Sequence, residues 1–261
     1  QFLTRKVFIF VYRNKNGVIL CHELDKLEID KKVDFQVVVY KNLQQMKDII
    51  KNLLSSCQNV IMEISEDGML AGCNYLDYGT GKMIENMGKN ILSSADIIQR
   101  LSSTIDDQSL ILHKKASEEI DKIKNKAIQF IFEKVQADQI VTEYMVQQFI
   151  LQEFEKANLI TDDPPIVAVG ENTKNPHYQP SVNSSATIGK NQLVMIDLWA
   201  KLKEEKAVFA DITWMAFTGY DLPMRYKEVF DIIKLAIDKT LDFISSHLPK
   251  ERMEGWQIDE F

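Results

Sequence analysis

The sequence predicts an α/β (α+β) fold in two domains, 1–102 and 103–261, and two patterns carry this prediction. In the first hundred residues, short β-branched and aromatic runs alternate with apolar residues at helical spacing, which is typical of a layered α/β domain. Beyond residue 104, two long amphipathic patterns come first, and strand-like runs follow them. The boundary is placed in the Ser/Thr-rich stretch 102–104.

The N-terminal region is expected to contain several strands and one clear helix. Apolar, β-branched runs predict the strands 7–12, 18–20, 35–40 and 60–64. Apolar residues three and four positions apart predict the helix, and these are Leu43, Met46, Ile49, Ile50, Leu53 and Leu54.

The second region opens with a helix predicted over residues 107–136. Its apolar stripe consists of Leu112, Ala116, Ile120, Ile123, Ala127 and Ile131. Thr142 is a suitable N-cap for a further helix that ends near Phe154. The later runs predict three strands and a last helix, at 166–169, 193–199, 208–217 and 229–244.

Composition excludes several classes of protein. The chain has 261 residues, of which 45% are hydrophobic, so it can bury a core and is not disordered. Residues 1–100 carry 13 basic and 12 acidic side chains, whereas residues 101–261 carry 18 and 26. This acidic second region argues against a nucleic-acid binder, because phosphate contacts need Lys and Arg. No apolar run approaches the ~20 residues that span a membrane.

The cysteines indicate a reducing compartment. Cys21, Cys57 and Cys73 are an odd number without CxxC spacing, so neither a disulfide framework nor a zinc knuckle is predicted. We therefore expect three reduced thiols and a cytoplasmic protein.

Two aspartates lie on the strands that flank a charged tip, and this segment is predicted to form an antiparallel hairpin. A tip centred at Glu204 would place Asp197 directly opposite Asp211, with Cβ atoms ~5 Å apart. Opposed like charges destabilise a sheet unless a cation lies between them, and hard divalent metals prefer carboxylate oxygens. The alternative is a register shifted by one or two residues, with each carboxylate facing solvent on an edge strand.

Several segments resemble one family in the correct order. Residues 195–201 (MIDLWAK) and 210–214 (ADITW) resemble the paired metal-binding strands of the pita-bread metallopeptidases, in their proline-specific branch of Xaa-Pro aminopeptidases and Xaa-Pro dipeptidases. Residues 167–178 are similar to the segment with that branch's active-site histidine, and 255–259 to the stretch before its next catalytic block. The first hundred residues resemble the creatinase-like N-terminal domain of the same branch.

The resemblance implies roles for residues that match. Asp197 would be a bidentate ligand of one metal ion and Asp211 would bridge two. His177 would donate a hydrogen bond to the substrate carbonyl or the oxyanion. The implied cofactors are two divalent ions in the complete protein, Mn or Co, with Zn as a further option. Trp199 and Trp214 would line the substrate cleft, although aromatic residues in a sheet often pack in the core.

The sequence departs from the family in its remaining ligands. The resemblance implies an HxxGH block and two glutamates C-terminal to the hairpin, yet His247 is the one histidine after Asp211 and has no such block around it. We therefore expect an incomplete pita-bread catalytic domain in a truncated chain that starts at Gln1. These 261 residues alone are expected to be inactive.

The resulting hypothesis is a metal-dependent peptidase that hydrolyses the bond before proline. Its expected partners are a small peptide with proline at the second position and a second copy in a homodimer, with neither nucleic acid nor membrane. One alternative is a non-enzymatic pita-bread protein (a pseudoenzyme) that binds or dimerises. Another is a metal-independent hydrolase similar to creatinase, which the opposed aspartates argue against.

Overall fold

A computed structural model of the chain describes most of the sequence and confirms the predicted mixture of helices and strands. The described residues are 5–13, 15–30, 34–68, 70–248 and 250–261, so Gln1 lies outside them. The backbone forms two compact units, residues 1–104 and residues 105–261. None of the helices within the described ranges combines the length and the apolar composition needed to cross a bilayer.

In the described residues of the first unit there are two small sheets and four α-helices. Its strands are β1 (Phe8–Tyr12), β2 (Lys15–His22), β3 (Gln36–Tyr40), β4 (Asn59–Met62) and β5 (Asn90–Ser93). The first three form one sheet in that order and the last two form a parallel pair. Its helices are α1 (Lys26–Asp30), α2 (Leu43–Leu53), α3 (Tyr78–Asn86) and α4 (Ala95–Ser103). Helix α3 has two glycines and no clear apolar period, so its stability depends more on the N-cap Asp77, whose side chain accepts from Thr80 N at 3.0 Å.

The second unit is built around one long strand. Its strands are β6 (Leu159–Ile160), β7 (Ile166–Val169), β8 (Leu193–Leu202) and β9 (Ala210–Phe217). Its helices are α5 (Asp107–Gln136), α6 (Glu143–Lys156), α7 (Met224–His247) and α8 (Gly255–Asp259). Strand β8 pairs antiparallel with all three others.

Helices α5 and α6 pack on one face of this sheet and form the core of the unit. Every residue of the predicted α5 stripe is buried. Thr142 caps α6 as predicted, since its hydroxyl accepts from Met145 N at 3.2 Å. Four alternate residues of β8 complete the same core, and these are Val194, Ile196, Leu198 and Ala200.

Helix α7 confirms the predicted last helix, but its apolar side chains are exposed. It contains 24 residues, and none of them is buried. Its apolar side chains are largely exposed, including Val229, Ile233 and Leu241 at 55–57%. The apolar period therefore predicted the helix correctly. Within the described residues, however, no other element buries its apolar side chains.

Candidate metal centre

The two faces of strand β8 have different environments. Because side chains alternate along a strand, Val194, Ile196 and Leu198 face the helices while the residues between them face the other side. The pairing of β8 with β9 places the alternate residues of both strands on this second side. We call it the open face, and it consists of Met195, Asp197, Trp199, Asp211, Thr213 and Met215, all half-buried or exposed.

The predicted register of the hairpin is wrong, because each residue of β8 pairs with a residue of β9 two positions later than predicted. Asp197 lies opposite Thr213, and Asp211 lies opposite Trp199. The two carboxylates are consequently diagonal neighbours on the open face and not a directly opposed pair. Diagonal positions on one face lie ~7–8 Å apart, which is still within reach of a shared ligand.

The shift accompanies a strand β8 that is longer than predicted. The strand was expected to end at residue 199, but Leu202 and Lys201 pair with the short strand β6. The turn is therefore centred one residue later, with Glu204 N donating to Leu202 O at 2.8 Å and Ala207 N to Glu204 O at 3.1 Å.

The two aspartates interact electrostatically. Partial burial, reinforced by the negative charge of Asp197, raises the pKa of Asp211, and the backbone N–H of Ile212 opposes this rise. The hydroxyl of Thr213 donates to Asp197 Oδ1 at 2.7 Å and fixes that carboxylate. Thr213 was not predicted as a site residue, and only the true register would have identified it.

The two carboxylates are the right kind of ligand for a divalent cation, but there are too few of them. Carboxylate oxygens on one face are the ligands that Mn²⁺ and similar hard cations accept. Among the residues that the structure describes, however, no group of three or more His, Cys, Asp or Glu side chains is arranged to hold a metal ion. Asp197 and Asp211 by themselves therefore do not fit a two-metal centre.

The two tryptophans lie on opposite faces of the sheet. Trp199 shares the open face with the carboxylates. Trp214 pairs with the buried Ile196 and lies on the helix-packed face, where Lys124 Nζ of α5 is 4.0 Å from its ring centroid. The expectation that both rings line one cleft therefore does not match the alternation of β9.

His177 lies in the connection between β7 and β8, residues 170–192, and we call its first part, residues 170–187, the His177 loop. Its side chain is exposed, and its backbone N–H donates to Asn175 Oδ1 at 3.0 Å. Within the described ranges, no hydrogen bond joins its ring to Asp197 or Asp211. The structure therefore brings the two aspartates together but does not link His177 to them directly.

Comparison with known proteins supports the relationship that the motifs suggest. Residues 112–260, more than half of the chain, match metallopeptidase family M24. A search of curated protein sequences finds no significant match.

Three solved structures have a similar fold. A prolidase from Thermococcus sibiricus has 20% sequence identity and a TM-score of 0.57, over 91% of this chain and 60% of its own. A dipeptidase from Pyrococcus horikoshii has 18% identity and a TM-score of 0.52, over 91% and 61%. An X-Pro aminopeptidase from Thermotoga maritima has 18% identity and a TM-score of 0.50, over 90% and 62%. The chain thus spans about 60% of the length of these structures.

Proposed function

This chain belongs to metallopeptidase family M24, and on that premise we propose that the protein hydrolyses the peptide bond before proline. The observation that carries the proposal is the carboxylate pair on the open face, within the matched residues. The proline-specific branch is favoured by the segments 195–201 and 210–214. It also agrees with the similar fold of a prolidase and an X-Pro aminopeptidase.

We assign a role to each residue of the open face and to His177. Asp197 and Asp211 would contribute carboxylate ligands to a divalent metal, Mn or Co, which would supply Lewis-acid chemistry at this site. Thr213 orients Asp197 through its 2.7 Å hydrogen bond. Trp199 provides an apolar surface for the proline ring, whereas Trp214 packs against α5. His177 donates a hydrogen bond to the oxyanion.

Metal binding tests the ligand assignment without any need for turnover. Mn²⁺ is titrated calorimetrically into chelator-treated wild-type chain and into Asp197→Ala, Asp211→Ala and the control Asp221→Ala, which removes an exposed carboxylate beyond β9. We expect weak binding by the wild type, a loss of about 10-fold or more for the first two variants, and no change for the control. Equal binding by all four proteins would overturn the assignment.

Peptide hydrolysis tests the reaction itself. The full-length gene product, loaded with Mn²⁺, is given Gly-Pro, Ala-Pro-Ala and the matched peptides Gly-Ala and Ala-Ala-Ala. We expect cleavage of the proline peptides only, and the preferred length separates a dipeptidase from an aminopeptidase. Failure to cleave any of them, or cleavage that ignores proline, contradicts the proposal.

A non-enzymatic member of the family is the second candidate. It is favoured by the missing third ligand among the described residues. Reading the gene beyond Phe261 discriminates the two candidates. An HxxGH block followed by two strand-borne glutamates favours the peptidase, and a stop codon favours the binding or dimerisation protein.

We also propose a cytoplasmic location and a homodimer. The location is supported by the three cysteines, all of which are free thiols. Sedimentation equilibrium at micromolar concentration tests the assembly, for which we expect twice the 30.1 kDa mass of the chain.

A further inference from the structure

A carboxylate in the second unit is completely buried and is not one of the proposed metal ligands. Glu143, the first residue of α6, has 0% exposure. Its Oε1 accepts hydrogen bonds from Val169 N at 2.7 Å and Asn172 Nδ2 at 2.9 Å. Its Oε2 accepts from Tyr178 OH at 2.6 Å and Ala186 N at 2.7 Å. Each oxygen therefore has two donors.

These four donors are distributed along the whole His177 loop. Val169 immediately precedes the loop, Asn172 lies in its first turn, Tyr178 follows His177 directly, and Ala186 lies near its end. One side chain thus connects both ends and the centre of a long irregular segment. The backbone N–H of Glu143 strengthens the last connection by donating to Ala186 O at 3.1 Å.

A second side chain of α6 holds the residue after Tyr178. Gln147 lies one helical turn beyond Glu143 and is also buried. Its Nε2 donates to Pro165 O at 2.9 Å and to Gln179 Oε1 at 3.2 Å. The two residues that follow His177 in the chain are therefore both attached to α6.

The donors to Glu143 explain why this position requires a carboxylate and not an amide. All four are neutral, and the two backbone N–H groups, one on each oxygen, cannot accept a hydrogen bond. A glutamine amide would direct an N–H group at one or more donors and leave them unpaired. The position of Glu143 in the first turn of α6 also favours negative charge.

We propose that Glu143 is a positioning residue for His177, acting through Tyr178 and Asn172 to hold the His177 loop in the conformation that presents the imidazole to substrate. The inference rests on the proposed function for the role of His177, but the loop conformation can be measured independently. A residue that acts on the oxyanion through His177 affects kcat more than KM, because the oxyanion forms only in the transition state.

The test removes one hydroxyl and observes the histidine ring. Tyr178→Phe deletes the link beside His177 and leaves Glu143 with three donors. Tyr144→Phe is the matched control, because Tyr144 is half-buried on the same helix and its hydroxyl has no hydrogen bond in the described part of the chain. Ring signals are recorded by proton–carbon NMR on the 261-residue chain and assigned with His177→Gln.

We expect Tyr178→Phe to shift or broaden the His177 signal and to raise amide exchange in residues 172–179 by about 10-fold, with no such change in the control. In the full-length gene product, we expect kcat to fall about 10-fold with KM changed less than 2-fold. Glu143→Gln should give the same changes, since the amide does not restore the four bonds.

The possible outcomes separate this inference from the proposed function. A His177 signal and loop exchange identical in Tyr178→Phe and Tyr144→Phe would overturn the positioning role, whatever the activity. A displaced His177 signal in a protein whose wild type cleaves no Xaa-Pro peptide would support the positioning of the loop and contradict the peptidase.

Discussion

Residues 105–261 contain two carboxylate centres in opposite environments: the buried Glu143 and the pair Asp197 and Asp211 on the open face. Glu143 is fully enclosed and accepts four hydrogen bonds from neutral donors. Asp211 lies on the exposed side of β9, near a second carboxylate, and its pKa is raised. The protein supplies four hydrogen-bond donors to the enclosed Glu143. The two carboxylates of the open face have fewer donors and lie close to each other.

This difference separates a structural carboxylate from one available to a ligand. A buried charge is retained when the surrounding groups supply hydrogen bonds. A pair of neighbouring carboxylates without a cation repel each other, so a bound cation relieves that repulsion. Exposure is not the deciding variable, because Glu153 is also buried and is neutralised instead by Lys126 and Lys156 at 2.6 and 2.5 Å.

The largest expected effect comes from removing the enclosed carboxylate. Glu143→Ala leaves two backbone N–H groups and two side chains without their acceptor, so we expect a loss of about 3–5 kcal/mol in the free energy of unfolding. Urea denaturation measures this loss. The control Glu155→Ala, at an exposed position of the same helix, should change stability by less than about 0.5 kcal/mol. Equal effects would remove the distinction between the two centres.

We expect an intermediate effect on stability from removing the Tyr178 hydroxyl, which donates to Glu143. Burial and the hydrogen bond to Glu143 raise the pKa of Tyr178 to about 12. The fold therefore favours the protonated hydroxyl, and its contribution is complete below the unfolded pKa of about 10 and is lost as the pH rises through about 12.

Tyr178→Phe should consequently lower the free energy of unfolding by about 1.5–3 kcal/mol at pH 8, as expected for the loss of a hydrogen bond to a carboxylate. The difference between the free energies of unfolding of the variant and the wild type should become smaller between pH 10 and pH 12. Denaturation at pH 8 and pH 11 measures the change. A difference in the free energy of unfolding that stays constant over this range would show that Tyr178 does not titrate in this way.

The smallest effect is expected on the open face. The raised pKa of Asp211 means that ionisation is unfavourable in the folded, metal-free protein. This penalty is present above the folded pKa and disappears as the pH falls below the unfolded pKa. Asp211→Asn should therefore raise the free energy of unfolding at pH 7 by a few tenths of a kcal/mol after screening by solvent, and with it the thermal midpoint. At pH 3 we expect no such increase.

Calorimetry of chelator-treated protein at the two pH values checks this prediction, with Asp221→Asn as the control. Added Mn²⁺ should reverse the order at pH 7, because the wild type alone keeps both ligands. A variant that is less stable than wild type at pH 7 without metal would place Asp211 with the structural carboxylates.

Several features could be predicted because they depend on neighbours close in sequence. The stripe of α5 repeats every three or four residues, and Thr142 reaches a backbone N–H only three residues away. The alternation of β8 likewise assigns Asp197 to one face without reference to other strands. The motifs around the aspartates carried the family, which the match over residues 112–260 shows.

Other features depended on contacts between distant residues. The register of the hairpin is set by the pairing of β8 with β9, and β8 is lengthened by pairing with β6, some forty positions earlier in the chain. The role of Glu143 requires donors 26–43 residues further along the chain. No local pattern marks such a residue, because a first-turn glutamate is equally suitable for an exposed helix start.

By itself, the sequence determined the helices α2, α5, α6 and α7, the strands other than β5 and β6, the family and the two aspartates of the candidate metal centre. Periodicity and motif chemistry act over a few residues, so they can be recognised without coordinates. Only the tertiary structure decided that the aspartates are diagonal, that Thr213 holds one of them, and that Trp214 lies on the opposite face. The physical reason is that strand register and the satisfaction of buried charge are set by long-range pairing.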